Sequence, residues 1–227
     1  VHLASTRKIF RNLSDYYPEI NITQNLYDAA KDNGIRNIIY ASSISVYSGD
    51  NLPYTEDHLP HPSSMYGLSK VVCEYIGLQY NAKFDMKIKN FRFAHLYGAN
   101  ENNNYMINIF FRKAFSHEQI TVNSKGVAKR EFLYAKDAAN AILIGIRQSE
   151  LEGTFNIGSN ECLTNQEVGE IISSVMSPSL SIKVEGGVET IRSSFMCSKT
   201  ALIQMGYYPK YSLKEATEEI EKEMRSV

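Results

Sequence analysis

Along TQNLYDAAKDNG (23–34), apolar side chains fall at positions 26, 29 and 30 and a glycine closes the run, a spacing that predicts a helix. IRNIIYASS (35–43) follows at once, β-branched and bounded by polar residues, and reads as a buried strand. The next stretch, NLPYTEDHLPHPSS (51–64), has three prolines and no apolar period, so it is a loop. MYGLSKVVCEYIGLQYNA (65–82) predicts a long helix that Ser63 or Ser64 caps, and MKIKNFRFAHLYG (86–98) the following strand. DAANAILIGIRQ (137–148) predicts a helix with Asp137 as N-cap, and GTFNIG (153–158) a short strand. Thr164 to Glu167 and Ser212 to Glu215 have the spacing of capping boxes that open two more helices.

Strand and helix in alternation, with glycine at the turns, imply an α/β fold: a doubly wound parallel sheet with helices on both faces. After residue 98 the alternation becomes shorter and irregular, which predicts a small lobe built onto the sheet. The expected division is a sheet domain over 1–98, to which 131–150 return, and a lobe from 99–130 and 151–227. No internal repeat, low-complexity tract or linker interrupts the pattern.

Composition changes this picture little. The 227 residues are 43% hydrophobic and 22% charged, ordinary for a globular domain, and the net charge of −1 gives no reason to expect nucleic acid or an anionic membrane. No apolar run approaches the roughly 20 residues of a membrane span. The three cysteines, Cys73, Cys162 and Cys197, are odd in number and lack metal-ligand spacing, so the expectation is free thiols, no metal site and a cytoplasmic protein. The first ten residues, VHLASTRKIF, carry no signal-peptide pattern and read as the end of an apolar strand entering a loop, as though the chain began inside a domain.

The candidate chemistry centres on SSMYGLSK (63–70), where Tyr66 and Lys70 stand one helical turn apart. Spacing alone is weak evidence, because Tyr27 and Lys31 share it. Only Tyr66 and Lys70 follow a strand that ends in serines, Ser42 and Ser43. In an open parallel sheet chemistry gathers at that carboxyl end. A phenol titrates near 10, too high for a base at neutral pH, and a neighbouring ammonium favours its ionised form. With a serine hydroxyl holding the reacting oxygen, such a trio suits reversible oxidation of an alcohol, with hydride passing to a nicotinamide.

These motifs resemble the extended short-chain dehydrogenase/reductase family, and within it the nucleotide-sugar epimerases and dehydratases. VHLA (1–4) is similar to the end of that family's fourth strand, YASSISVY (40–47) to its serine strand and LPYTEDHLPHPSSMYGLSK to its loop and Tyr-x-x-x-Lys helix. RFAHLYG (92–98) is similar to its Arg-x-x-Asn-x-x-Gly strand, KREFLYAKDAANAI (129–142) to its Arg-Asp-Phe segment and SKTALIQMGYYPKYSLKEA to its carboxyl-terminal signature. The resemblance implies a Rossmann-like fold, incomplete at the amino terminus, with a small C-terminal α/β lobe for substrate. It implies that Tyr66 transfers the proton, that Lys70 stabilises the ionised phenol and binds the nicotinamide ribose, and that Ser43 steadies the substrate oxygen. His2, Leu3, Ala4 and Phe93 would line the groove for NAD or NADP, Arg130 and Arg192 would hold the pyrophosphate of the nucleotide sugar, and His95, in place of the family's asparagine, would contact the sugar or simply fill that slot. The helices over 15–33 and 64–81 would pair with a second subunit, Tyr75 and Tyr80 between them, as a homodimer.

Several positions depart from the family pattern. None of the 13 glycines forms the Gly-x-x-Gly-x-x-Gly cofactor loop, so the chain as given is expected to bind NAD poorly or not at all. The family's Asn-x-x-Gly-Thr is Glu19-Ile-Asn-Ile-Thr23, its Arg-x-x-Asn asparagine is His95, the glycine after Val-Tyr is Ser48, and the aspartate of Asp-x-Ser-Lys is Met196. Ser43 is followed by Ile44, Ser45 and Val46, with no acidic pair of the 4,6-dehydratase type. The reading is therefore an NAD(P)-dependent epimerase, or a ketosugar reductase, working at C4 of a nucleotide-linked sugar. The alternatives are a non-catalytic NAD(P)- or nucleotide-binding module of the same fold, and a reductase of a non-sugar carbonyl.

Overall fold

A computed structural model describes residues 1–6, 11–49, 51–123, 127–186 and 192–226. They form two compact units. The first contains Val1–Ala94, Ala139–Ile157 and Met196–Tyr208, the second His95–Ala138, Gly158–Phe195 and Pro209–Val227.

In the first unit, a 3-10 turn leads into α1 (Tyr17–Asp32), where Pro18 occupies the first turn and lacks an N–H that needs a partner there. β1 (Asn37–Ser43) follows after Gly34, which adopts φ +70°. The long helix α2 (Met65–Phe84) is capped by Ser64 and ends at Asp85 in the left-handed region. β2 (Lys87–Phe93) then pairs with β1 in parallel, Ser43 opposite Phe93. The expected strand over 86–98 stops here: Ala94 donates its N–H to the Ile157 carbonyl, and β3 (His95–Tyr97) belongs to the second unit. The third parallel strand of the first sheet is β6 (Gly153–Ile157), beside β2. His2 extends the sheet beyond β1 by one parallel bridge to Tyr40. The expected strand end over the first ten residues is thus that bridge, and its continuation over 7–10 lies outside the described residues.

Helices cover both faces of this sheet, the Rossmann-like doubly wound arrangement. α2 lies on the even-numbered side chains of β2, where Gly77 approaches Ile88 and Asn90. On the other face α4 (Ala135–Arg147) brings Gly145 so near Phe91 and Ile39 that an added Cβ would sit 2.6 Å from the Phe91 ring. α6 (Lys199–Met205) packs beside β6.

The second unit holds β3, β5 (Lys129–Tyr134) and β7 (Cys162–Thr164), parallel between β3 and β5 and antiparallel between β5 and β7. A second small sheet pairs β4 (Thr121–Val122) with β8 (Lys183–Val184). Its core is apolar: Phe110 and Phe111 of α3 (Met106–Phe115), Val168 and Ile172 of α5 (Asn165–Met176), and Leu213 and Ile220 of α7 (Leu213–Arg225). Both expected capping boxes form, at Thr164/Glu167 and Ser212/Glu215. Asp137 is not a cap. It lies inside the first turn of α4, 1% exposed, and its carboxylate accepts the N–H groups of Lys210 and Tyr211. Burial raises its proton affinity while those two donors oppose the shift. Among the described residues no helix is long and apolar enough to cross a membrane.

Candidate active site

β1 ends where Ser43 takes an extended conformation and its Oγ accepts the Ser45 N–H at 3.1 Å, capping the short turn Ile44–Val46. The first turn of α2 packs against that turn. A Cβ at Gly67 would lie 2.0 Å from the Ser45 carbonyl oxygen, so only glycine permits this approach. The carboxyl end of β1 and the turn that carries Tyr66 are thereby held together. One turn further on, the Lys70 ammonium lies 5.5 Å from the Tyr66 ring centroid and 5.1 Å from that of Tyr40. It donates to the Ala41 carbonyl at 3.1 Å and pairs with the Glu19 carboxylate at 2.9 Å. At 1% exposure, a lysine needs such partners to stay charged.

His2 is buried beside this cluster. Its N–H donates to the Ile39 carbonyl, its carbonyl accepts the Ala41 N–H, and its Nε2 is 2.9 Å from Thr23 Oγ1 on α1. Burial and the Lys70 charge hold its imidazole below the usual range, so it favours the neutral form. Leu3 and Ala4 are exposed at this edge, whereas Phe93 is buried against Phe91 in the sheet. Tyr27 and Lys31, the other pair of matching spacing, are structural. Tyr27 is fully buried, its phenol pushed up by desolvation, and Lys31 pairs with Asp28 and Asp32.

One constellation was not singled out from the sequence. Glu74, a turn beyond Lys70, receives two hydrogen bonds from Arg92 Nε, at 2.9 and 3.2 Å, and one from Arg92 Nη2 at 2.6 Å. Ser42 Oγ also donates to it. Arg92 Nη1 meets the Tyr47 hydroxyl at 2.6 Å, and that hydroxyl lies 2.9 Å from Asn156 Oδ1. This buried network fixes α2 in rotation over β1, β2 and β6. The available signal was the charge at i+4 from Lys70 on a helix otherwise apolar on that face.

In the second unit the structure brings His95 and Arg130 together, with Arg130 Nη2 donating to His95 Nε2 at 3.1 Å. Burial and the adjacent guanidinium push the His95 imidazole down to about 3, so at neutral pH it is uncharged. Both residues lie against the Phe132 ring. Arg192 is exposed and opens a segment that pairs with β5: Ser194 bridges Arg130, and the Lys129 N–H reaches Ser193 Oγ at 3.0 Å.

With this geometry in hand, comparison with known proteins is informative. The model of the NAD dependent epimerase/dehydratase family matches residues 1–158. The fold superposes with a TM-score of 0.94 on a UDP-N-acetylglucosamine 4-epimerase from Bacillus cereus, 47% identical, with 100% of this chain and 76% of that one covered. A dTDP-4-dehydro-6-deoxyglucose reductase of Escherichia coli is 28% identical over 99% of this chain and 74% of its own length. A GDP-mannose 3,5-epimerase of Arabidopsis thaliana is 26% identical over 91% of this chain and 60% of its own. The chain thus spans between three fifths and three quarters of these relatives.

Proposed function

The chain belongs to the NAD dependent epimerase/dehydratase family, and on that premise we propose that it acts in the epimerisation, or the keto reduction, of a nucleotide-linked sugar at C4. The observation that carries this reading is the Lys70 ammonium held 5.5 Å from the Tyr66 ring, on a helix packed against the turn that Ser43 caps. The 4-epimerase that shares 47% identity over the whole chain supports position C4, and the reductase relative supports the second activity.

The residues present fit the nicotinamide end of the cofactor. The Lys70 ammonium lies against Tyr40 and Ala41 of β1 and the Tyr66 ring, and Leu3 and Ala4 are exposed on the segment that His2 bridges to β1. Lys70 would hold the ribose hydroxyls, and His2 to Ala4 would line the groove, with Phe93 forming its floor from within the sheet. When bound, NAD would supply the hydride-transfer chemistry. Tyr66 takes the proton of the C4 hydroxyl as the carbonyl forms and returns it afterwards. Ser43 holds that oxygen in line. Arg130, its guanidinium oriented by a neutral imidazole, would grip the substrate pyrophosphate with two parallel donors, and Arg192 would add a second cation. His95 would meet the sugar or only orient Arg130.

The test is to incubate the complete natural polypeptide with NAD and UDP-N-acetylglucosamine. The C4 epimer is followed by NMR and the nicotinamide by absorbance near 340 nm. Full turnover in Tyr66→Phe would sink the proposal. Bound cofactor with no turnover on any nucleotide sugar would favour the non-catalytic reading. We further propose a cytoplasmic homodimer. All three cysteines are free thiols, and α1 and α2 expose an apolar cavity of 570 Å³ lined by Val71, Val72, Tyr75, Ile76, Tyr80 and Phe84. Light scattering that finds a dimer, reduced to monomer by Tyr75→Glu, is the expected result.

A further inference from the structure

We infer that Glu19 is a positioning residue for Lys70: a buried carboxylate that anchors the ammonium beside Tyr66 and offsets part of its charge. The inference deepens the proposed function and rests on it for its catalytic consequence.

The geometry is specific. Glu19 is 5% exposed, and its Oε1 is 2.9 Å from Lys70 Nζ. The same carboxylate accepts Ser5 Oγ at 3.0 Å and the Thr6 N–H at 3.2 Å, while the Glu19 carbonyl accepts Thr23 Oγ1 at 3.0 Å. One side chain of α1 therefore ties together the segment after His2 and the lysine of α2. Among the described residues, the titratable groups around the pair include His2, Tyr16, Tyr27, Tyr40, Tyr66 and Cys73, with Glu74 a turn beyond and bonded to Arg92. The position belongs to the motif segment Glu19-Ile-Asn-Ile-Thr23, in which the resembled family carries a neutral asparagine.

A compensated ammonium acts differently from an isolated one. A lone buried cation next to a phenol pulls strongly toward the phenolate. An anion within hydrogen-bond distance turns the cation into a dipole, whose field falls off faster. The carboxylate makes burial of Lys70 affordable, and it weakens the lysine's hold on the ionised state of Tyr66. Proton abstraction from the substrate alcohol is thereby set to a higher pH than an asparagine would set.

The experiment uses the complete natural polypeptide and its Glu19→Gln and Glu19→Asn variants, with two measurements. The first is the pH–rate profile for oxidation of the nucleotide sugar. Its acid limb moves to lower pH by roughly one unit in both variants, the order of magnitude expected when one nearby unit charge is removed from a partly desolvated site. At a pH on that limb this reads as a gain of up to about tenfold in turnover. An acid limb unmoved in folded, active variants overturns the inference, as does a shift in one variant only, because charge is what the two share. The second measurement needs no substrate: the 15Nζ signal of Lys70, assigned with Lys70→Met. Slow ammonium proton exchange in the unsubstituted protein, accelerated at least about tenfold on neutralising Glu19, supports the pairing, and fast exchange in the unsubstituted protein overturns it. If both variants fail to fold, this signal in the unsubstituted protein decides. A wild-type protein inactive on every nucleotide sugar but with a protected Lys70 overturns the functional reading and leaves the ion pair standing.

Discussion

Lys70 in the first unit and Arg130 in the second are both cations drawn out of water beside aromatic rings, yet their partners differ in charge. Lys70 faces a carboxylate, whereas Arg130 faces an imidazole that burial and the guanidinium itself keep neutral. The difference matches the two tasks proposed. A lysine that biases a proton transfer works through the field it exerts on a phenol, and a counter-ion sets that field. An arginine that holds a diphosphate is most useful with its charge unspent, so its scaffold must orient it without neutralising it. Arg92 marks the opposite extreme. Its bonds go to Glu74 and the Tyr47 hydroxyl, so its charge is met within the fold.

The largest expected effect breaks the first half of this comparison. Tyr66→Phe, which keeps the ring and removes the hydroxyl, should lower kcat by about 10²- to 10⁴-fold with an unchanged circular dichroism spectrum. Next comes Glu74→Ala, which strands Arg92 as a buried uncompensated charge and should cost about 3–5 kcal/mol in urea unfolding. That loss should exceed any from substitution at Arg130. Arg130→Ala tests the unspent cation: KM for the nucleotide sugar should rise about 30- to 100-fold with kcat within about threefold. The reductase of a non-sugar carbonyl predicts no change. The smallest effect belongs to His95→Asn, with turnover within about threefold from pH 6 to 8. His95 titrates near 3 when folded and near 6.5 when not, so the unfolded chain gains the proton first as pH falls. Stability from this site is full above about 6.5 and declines toward 3. The asparagine variant should flatten the acid side of the melting-temperature profile. It should not level it, because His2 is shifted in the same direction.

Much of both units was legible along the chain because its signals are local. Hydroxyl-to-glutamate spacing announces the boxes at Thr164 and Ser212, and alternation of strand and helix announces the parallel sheet. Tyr66 and Lys70 stood out from Tyr27 and Lys31 through the serine strand end upstream, not through their own spacing. What escaped depends on partners far apart in sequence. The strand over 86–98 is unbroken in apolar pattern, and only Ile157 and Phe132, bonding or pairing on either side of Ala94, divide it between two sheets. Asp137 looks like a cap from its neighbours, and it serves instead as acceptor for backbone at 210 and 211. Glu19 carried no local clue beyond its departure from the motif, since its partner lies 51 positions away on another helix.

The interleaving of the two units has a consequence for how such a molecule is recombined. Each is assembled from three separate stretches, and the backbone passes between them at Ala94, Ala138, Ile157, Phe195 and Tyr208. A single crossover between two homologous genes at almost any point would therefore mix parental sequences within at least one core. Grafting one unit whole onto a relative requires cuts at all five junctions together. The three stretches of each unit should thus be inherited as a set, and chimeras that respect those junctions should keep their folded yield where single-breakpoint chimeras lose it.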